Sequence, residues 1–420
     1  MLSTLKNAWK IPDLRKKILY TLMMIVVFRL GSVVPVPGMS ATKLATLFQN
    51  GDGLFGFFDL LSGGSFKRFS IFALGISPYI TASIIVNLLQ IAIPSLEALA
   101  KEGETGRKKL AQFTRYGTVA LALIQAIGLS TTLFKPAFIS FNFWSASVSV
   151  LTLTAGTAFL MYLGEKITEN GIGNGISMFI FAGIISKLPT SISVTYTQLM
   201  SGELNVFSLV IFLVVAVLVI MGVIYIQQGT RKIPVQYAKR VVGRKMYGGH
   251  STHIPLKVNQ SGVIPVIFAM SLLAFPITIG TFFPGSGFNV FMNTYFRSTT
   301  IWYNLFYAAL IFGFTYFYTS VTFNPFEVAD NMKKNGGFIP GIRPGRPTSD
   351  YLMRTLNRIT FAGGAFLTII AVMPNLIAGL SNVGFQFGGT SLLIAVGVSI
   401  ETMKQIEAQM VMRHYQGFLK

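Results

Sequence analysis

Cysteine is absent from this 420-residue chain, and histidine occurs only three times, as His250, His253 and His414. Disulfides, cysteine-ligated zinc, iron–sulfur clusters and thiol catalysis are thereby excluded, and a histidine-rich metal or haem system has too few ligands. Charge is scarce too. Only 11% of the residues are charged, less than half of the roughly 25% an ordinary soluble domain carries. A water-facing surface around a globule of this size cannot be built from so few. Soluble enzymes, disordered tails and coiled coils drop out together. The motifs of hydrolases, metalloproteases and nucleotide-binding loops are missing, as is any paired-carboxylate arrangement.

Apolar residues are what the chain has in excess: 52% hydrophobic, with a mean hydropathy of +0.61. A helical span takes about 20 residues, and the apolar runs bounded by charge, glycine or proline predict ten of them. They cover 18–36, 71–93, 113–134, 146–163, 174–189, 206–226, 261–282, 301–321, 359–379 and 389–408. The fold class expected is an all-α polytopic membrane protein. The first run is longer than a signal-peptide core and lacks a small-residue cleavage site, so no cleavable leader is expected.

The few charges are mostly basic, 34 Lys+Arg against 14 Asp+Glu, for a net charge of +20. Assigning loops alternately to the two sides puts 27 of the 34 cations on one side. The positive-inside rule makes that side cytoplasmic and places both termini there, in agreement with an even number of spans. The 227–260 loop holds seven of these cations and no acid. It reads either as a solvated positive-inside loop or as a docking arm for an anionic partner such as ribosomal RNA. Alternation around Ile233, Val235 and Tyr237, and again at Val241 and Val242, suggests a small hairpin within it. Within the spans charge is rarer still. Arg29 lies in the first, Glu165 and Lys404 lie near cytoplasmic ends, and Glu401 lies in the tenth toward the cytoplasm. No carboxylate falls near a midplane, which counts against an ion-coupled transporter.

Residues 51–70, GDGLFGFFDLLSGGSFKRFS, are apolar but too short to span, and five glycines break them. Composition leaves two readings open: a half-helix re-entering a protein-lined cavity, or an amphipathic loop on the outer lipid surface. The Gly171–Gly175 cluster, with Asn174 inside it, reads as a helix start and not as a phosphate loop.

Four segments carry a resemblance that covers nearly the whole chain. They are Lys101–Lys109 (KEGETGRKK), Gly171–Ser177 (GIGNGIS), Asn324–Gly345 (NPFEVADNMKKNGGFIPGIRPG) and Phe387–Ile394 (FGGTSLLI). In these the sequence resembles the SecY/Sec61α family of protein-conducting channels. The resemblance implies two pseudo-symmetric five-helix halves, 1–190 and 206–420, around an hourglass pore, with a hinge at 191–205. It implies a gated, passive channel in the bacterial cytoplasmic membrane that moves unfolded secretory proteins and releases transmembrane segments sideways into lipid. No cofactor or metal is expected. The rivals are a secondary transporter with inverted repeats and a poreless assembly factor.

Site residues follow from the same resemblance. Ile76, Ile80, Ile176, Ile180, Ile267 and Ile394 match the apolar ring that seals the pore. Such a neck dewets, blocks ions, and offers no hydrogen bonds that would favour one passing sequence over another. Residues 54–70 match the plug, with Phe57, Phe58, Asp59, Leu60, Leu61, Ser62, Gly63 and Gly64 at its centre. Thr81, Ser83, Asn87, Gln125 and Ser271 match positions lining the lateral gate between spans 2/3 and 7/8. Arg231, Lys232, Arg240, Arg244, Lys245, Arg343 and Arg346 match the cytoplasmic surface that docks the SecA ATPase and the ribosome. Arg343 sits in a Pro/Gly-framed turn that would present it stiffly. SecE, SecG, signal sequences and nascent polypeptides complete the implied partners.

Overall fold

The computed structural model describes residues 2–49, 59, 62–202, 206–237, 240–242, 245–247, 251–283, 285–296, 300–380 and 389–417. A helix coincides with each of the ten expected spans. These are α1 (Pro12–Gly31), α2 (Ser77–Ala92), α3 (Glu104–Gly128), α4 (Phe143–Asn170), α5 (Gly175–Ser186), α6 (Val206–Gln228), α7 (Ile264–Phe282), α8 (Ile301–Thr322), α9 (Arg346–Leu380) and α10 (Gly389–Gly417). Among the described residues, five helical stretches are long and apolar enough to cross a membrane, and a sixth qualifies if one bent pair counts as a single span.

Local chemistry explains where the helices start and stop. α1 opens on Pro12 and α7 carries Pro265 in its first turn, positions where the missing N–H costs nothing. The second span differs from expectation. Residues 71–76 form turns, the helix begins only at Ser77, and Pro94 ends it with a 101° bend into a short helix, Pro94–Lys101. Ile76 is therefore the residue before the helix, and its carbonyl accepts from the Ile80 N–H at 3.0 Å. The connection expected as a hinge is largely helical as well. After a break at Lys187, Pro189 opens a helix that runs Leu188–Met200.

Packing sorts the ten helices into two groups. α1 packs on α4 and α5, α2 on α3, α3 on α4, and α4 on α5; α6 packs on α10, α7 on α8, α8 on α9, and α9 on α10. The groups meet where α2 and the outer end of α3 lie against α7, and where α5 lies against α10. The Phe282 ring at the end of α7 sits directly on Gly128 at the end of α3, where a methyl group would collide with it.

The expected hairpin is present. β1 (Thr230–Tyr237) pairs antiparallel with β4 (Ser251–Lys257), from Thr230↔Lys257 to Gln236↔Ser251. Between them β2 (Arg240–Val242) and β3 (Lys245–Tyr247) form a second, smaller ribbon. The sequence pattern did not reveal β5 (Gly337–Phe338), a two-residue strand between α8 and α9 that pairs with the end of β1. The 227–260 and 322–358 segments thus contribute to one sheet. Ile233, Val235 and Leu256 pack with Met332, Ile339 and Leu352 beneath it.

Candidate functional site

The six isoleucines come from four helices drawn from both groups: Ile76 immediately before α2 and Ile80 in its first turn, Ile176 and Ile180 on α5, Ile267 on α7, and Ile394 on α10. Five of them are buried within one contiguous apolar cluster, and Ile176 packs against it half-buried. Those four helices are the ones that meet across the two groups, α2 against α7 and α5 against α10.

The α5 pair is positioned by the GIGNGIS turn. Asn174 Oδ1 accepts from the Ile176 and Ser177 N–H groups at 3.0 and 3.2 Å, capping the helix as expected. Gly175 abuts the Gly164 backbone, so nothing larger fits there. The turn is also tied to distant helices. The Ile172 N–H donates to Thr21 Oγ1 of α1 at 3.0 Å, and the Gly173 N–H donates to Gln405 Oε1 of α10 at 3.0 Å. Thr21 and Gln405 were not among the expected site residues. Neither stands out in a single sequence, because an isolated threonine or glutamine in a helix carries no spacing signal.

At the C-terminal end of α5, Asp59 is 4% exposed and Lys187 Nζ donates to its Oδ2 at 2.7 Å. The Lys67 N–H donates to the other carboxylate oxygen at 2.9 Å. Arg29, the lone charge inside the first span, donates through Nη1 to the Gly63 carbonyl at 2.7 Å. Gly63 has φ +66° and a Cβ there would fall 2.9 Å from the Gly183 Cα of α5, so both its torsion and its close approach call for glycine. Ser62 and Gly64 lie in the same turn, whose Gly64 N–H donates to the Asp59 carbonyl at 2.8 Å. Farther along, Phe66 and Phe69 pack on Phe134 in a second apolar cluster built on α3 and the turn beyond it. Phe57, Phe58, Leu60 and Leu61 lie outside the described residues.

The expected gate residues fall on facing helices but are not hydrogen-bonded to one another among the described residues. Thr81 Oγ1 donates to its own helix, at the Ser77 carbonyl. Ser83 and Asn87 are half-buried, and Gln125 is buried on α3. Ser271 is buried on α7 with its hydroxyl unpartnered. Among the expected docking residues, Arg231 and Lys232 are exposed on β1. Arg343 is exposed between Gly341 (φ +79°) and Gly345 (φ +98°), and its carbonyl accepts from Thr348 Oγ1 at 2.8 Å. Arg346 is exposed at the start of α9. Arg240 and Lys245 lie on β2 and β3, and Arg244 lies outside the described residues.

Comparison with known proteins decides the family. The SecY family model matches residues 70–403. The chain belongs to the SecY family. The protein translocase subunit SecY of Halalkalibacterium halodurans is 49% identical over 438 residues, covering all of both chains. Among solved structures, one described as a protein-conducting channel superposes with a TM-score of 0.68 at 19% identity, covering 94% of this chain and 93% of its own. Sec61 in a canine ribosome–channel complex from the endoplasmic reticulum gives a TM-score of 0.59 at 18% identity, covering 94% and 93%. The fold is that of the SecY/Sec61 channels, and a SecY-family chain is a membrane-embedded translocase subunit, a channel and not an enzyme. Membership removes the transporter and assembly-factor readings.

Proposed function

We propose that an extended polypeptide crosses the membrane through the neck where α2, α5, α7 and α10 converge. The halves 1–190 and 206–420 part to admit it. Both termini and the sheet-bearing loops face the cytoplasm, and the seam between α2/α3 and α7/α8 opens toward lipid to release transmembrane segments. The observation that carries this reading is the meeting of six isoleucines from both helix groups, five buried and Ile176 half-buried, in and against a single apolar cluster where α2 meets α7 and α5 meets α10. An apolar lining seals against ions at rest and makes no sequence-selective bonds with a passing chain. The turn at Asp59–Gly64 occupies the outer side as the plug.

The channel itself supplies no energy. Arg343, held in its glycine-framed turn, and the basic residues of β1–β3 provide docking for a SecA motor or for a ribosome, as the canine relative's ribosome-bound state suggests. SecE clamps the two halves, and SecG sits at the periphery. Phosphate contacts of this kind position a partner and weaken steeply with salt.

The missing cysteines provide the test. A single cysteine at Ile180 should form a disulfide with a cysteine in a secretory chain arrested midway by SecA and ATP. One at Val214, exposed on α6, should not. An arrested chain that crosslinks equally at both positions, or at neither, would remove the neck assignment.

A further inference from the structure

The two helix groups meet at two joints, and the chemistry of the joints differs. At the first, α2 and the end of α3 lie against α7. Thr81 Oγ1 donates to its own helix there, and the buried Ser271 hydroxyl has no partner among the described residues. The Phe282 ring simply covers Gly128. At the second, α5 lies against α10, with α1 packed beside α5, and directional bonds cross it.

Three of these bonds come from one stripe of α10. Thr402, Gln405 and Gln409 follow i, i+3, i+7 and so share a face of the helix. Gln405 Oε1 accepts from the Gly173 N–H, in the turn before α5, at 3.0 Å. Thr402 Oγ1 donates to Met178 Sδ of α5 at 3.7 Å. Gln409 Oε1 accepts from Lys17 Nζ of α1 at 3.3 Å. Gly173 has φ +87°, and a Cβ there would fall 3.2 Å from Thr402 Oγ1, so the turn comes this close to α10 only with glycine. Beside the stripe, Ile406 is buried in one small apolar cluster with Ala8, Leu14 and Ile172.

Packing is non-directional, so a joint made of it can part and form again. Hydrogen bonds keep their geometry and cost free energy when half made, so a joint held by them can turn but does not slide. We propose that Thr402, Gln405 and Gln409 are positioning residues that make the α5–α10 joint a fixed pivot, about which the halves turn when the α2/α3–α7 joint parts. The inference rests on the reading that the halves part around a neck, and adds that they stay attached on one side of it. Gln405 follows Ile394 by eleven residues on α10, about 16 Å at the helical rise. A turn of ~10° about the clasp therefore moves Ile394 by ~3 Å, a hinge displacement large enough to widen a neck of side chains. The seal itself stays with the apolar cluster. Loss of the pivot should therefore show in opening and not in the resting leak.

The test uses the full chain in inverted membrane vesicles with SecA, ATP and a secretory protein. Met178→Cys/Thr402→Cys, bridged by a short bis-maleimide, locks the pivot. Gly128→Cys/Phe282→Cys, at positions in contact across the other joint, locks the seam. The pivot-locked channel should translocate near its unbridged rate, and the seam-locked channel should not translocate. Adding Gln405→Leu/Gln409→Leu to the Met178→Cys/Thr402→Cys chain should slow translocation about fivefold, the equivalent of one net hydrogen bond, with the resting potassium leak unchanged. Bridging should then restore the rate. Gln405→Glu, whose carboxylate still accepts from the Gly173 N–H, should translocate at the starting rate. Loss of translocation on bridging Met178→Cys to Thr402→Cys would overturn the proposal, because that joint would then have to open. So would a leucine variant that is not slowed, or one that bridging does not restore. The bridging arm needs no leucine variant, so misfolding of that variant leaves the test standing. Translocation through the seam-locked channel would remove the parting of the halves itself, and the pivot with it.

Discussion

The proposed neck and the proposed plug seat lie on the same helix, α5, and are held together by opposite kinds of force. At the N-terminal end of α5, Ile176 and Ile180 join a buried cluster of apolar side chains. At its C-terminal end, Gly183, Ser186 and Lys187 meet a turn fixed by an ion pair, two charge-assisted hydrogen bonds and a glycine-to-glycine contact. Packing is non-directional and recovers from any rearrangement that buries the same area. Hydrogen bonds and ion pairs hold one geometry and cost free energy when half made. A neck that must open around any sequence and close again suits the first, and a stopper that must return to one place suits the second.

Breaking the seat should give the largest effect. Lys187→Met leaves the buried Asp59 carboxylate without its cation. Removing one partner of a buried pair costs about 3 kcal/mol, the low end of the usual range because the Lys187 side chain keeps 20% of its surface exposed. Ser65 is fully buried and its hydroxyl has no partner among the described residues, so Ser65→Cys reports on the seat with little disturbance. Labelling of that cysteine by a membrane-impermeant maleimide should accelerate in Lys187→Met. It should slow again when Asp59→Asn is added, because the orphaned charge is then gone. Unchanged labelling would mean that the seat does not depend on its ion pair.

The neck should respond to polarity and tolerate shape. Ile180→Asn places an amide with no partner in the apolar cluster, at about 2 kcal/mol. Potassium leak from vesicles holding the resting channel should rise by about tenfold, the equivalent of ~1.4 kcal/mol. Ile180→Leu, which conserves volume, should cost under about 1.5 kcal/mol and leave the leak near its starting level. If leucine leaks as badly as asparagine, the seal depends on shape, and the contrast between neck and seat collapses.

How much of this could be read before folding follows from the range of each signal. The ten helices were legible because an apolar run is a local property, and so was the Asn174 cap, which spans three residues. The isoleucines were legible only through resemblance, since isoleucine in a span is ordinary. The Asp59–Lys187 pair joins residues 128 apart, and β5 is a two-residue strand, so neither has any periodicity to read. The late start of α2 is a case of tertiary structure overriding pattern. Residues 71–76 are as apolar as a span, yet Ile71 donates its N–H to the Val34 carbonyl and stays out of the helix.

The smallest effect expected is also the sharpest check on the contrast. Asn174→Ala deletes the cap of α5, worth about 1 kcal/mol. The two amides it frees, Ile176 and Ser177, should exchange hydrogen faster, as hydrogen–deuterium exchange of the α5 peptide would show. The fraying should stop within the first turn. The Gly175 N–H still donates to Thr168 Oγ1 at 2.9 Å, and the Gly173 N–H still donates to Gln405. Ile180, one turn deeper, stays buried, and Ile176 is the only ring member already half-exposed. The channel should therefore remain tight to potassium despite the looser helix end, because a packed neck needs its apolar area but not the hydrogen bonds that start its helix. A leak in Asn174→Ala equal to that of Ile180→Asn would mean that directional bonds hold the neck as they hold the seat, and that the two ends of α5 work alike.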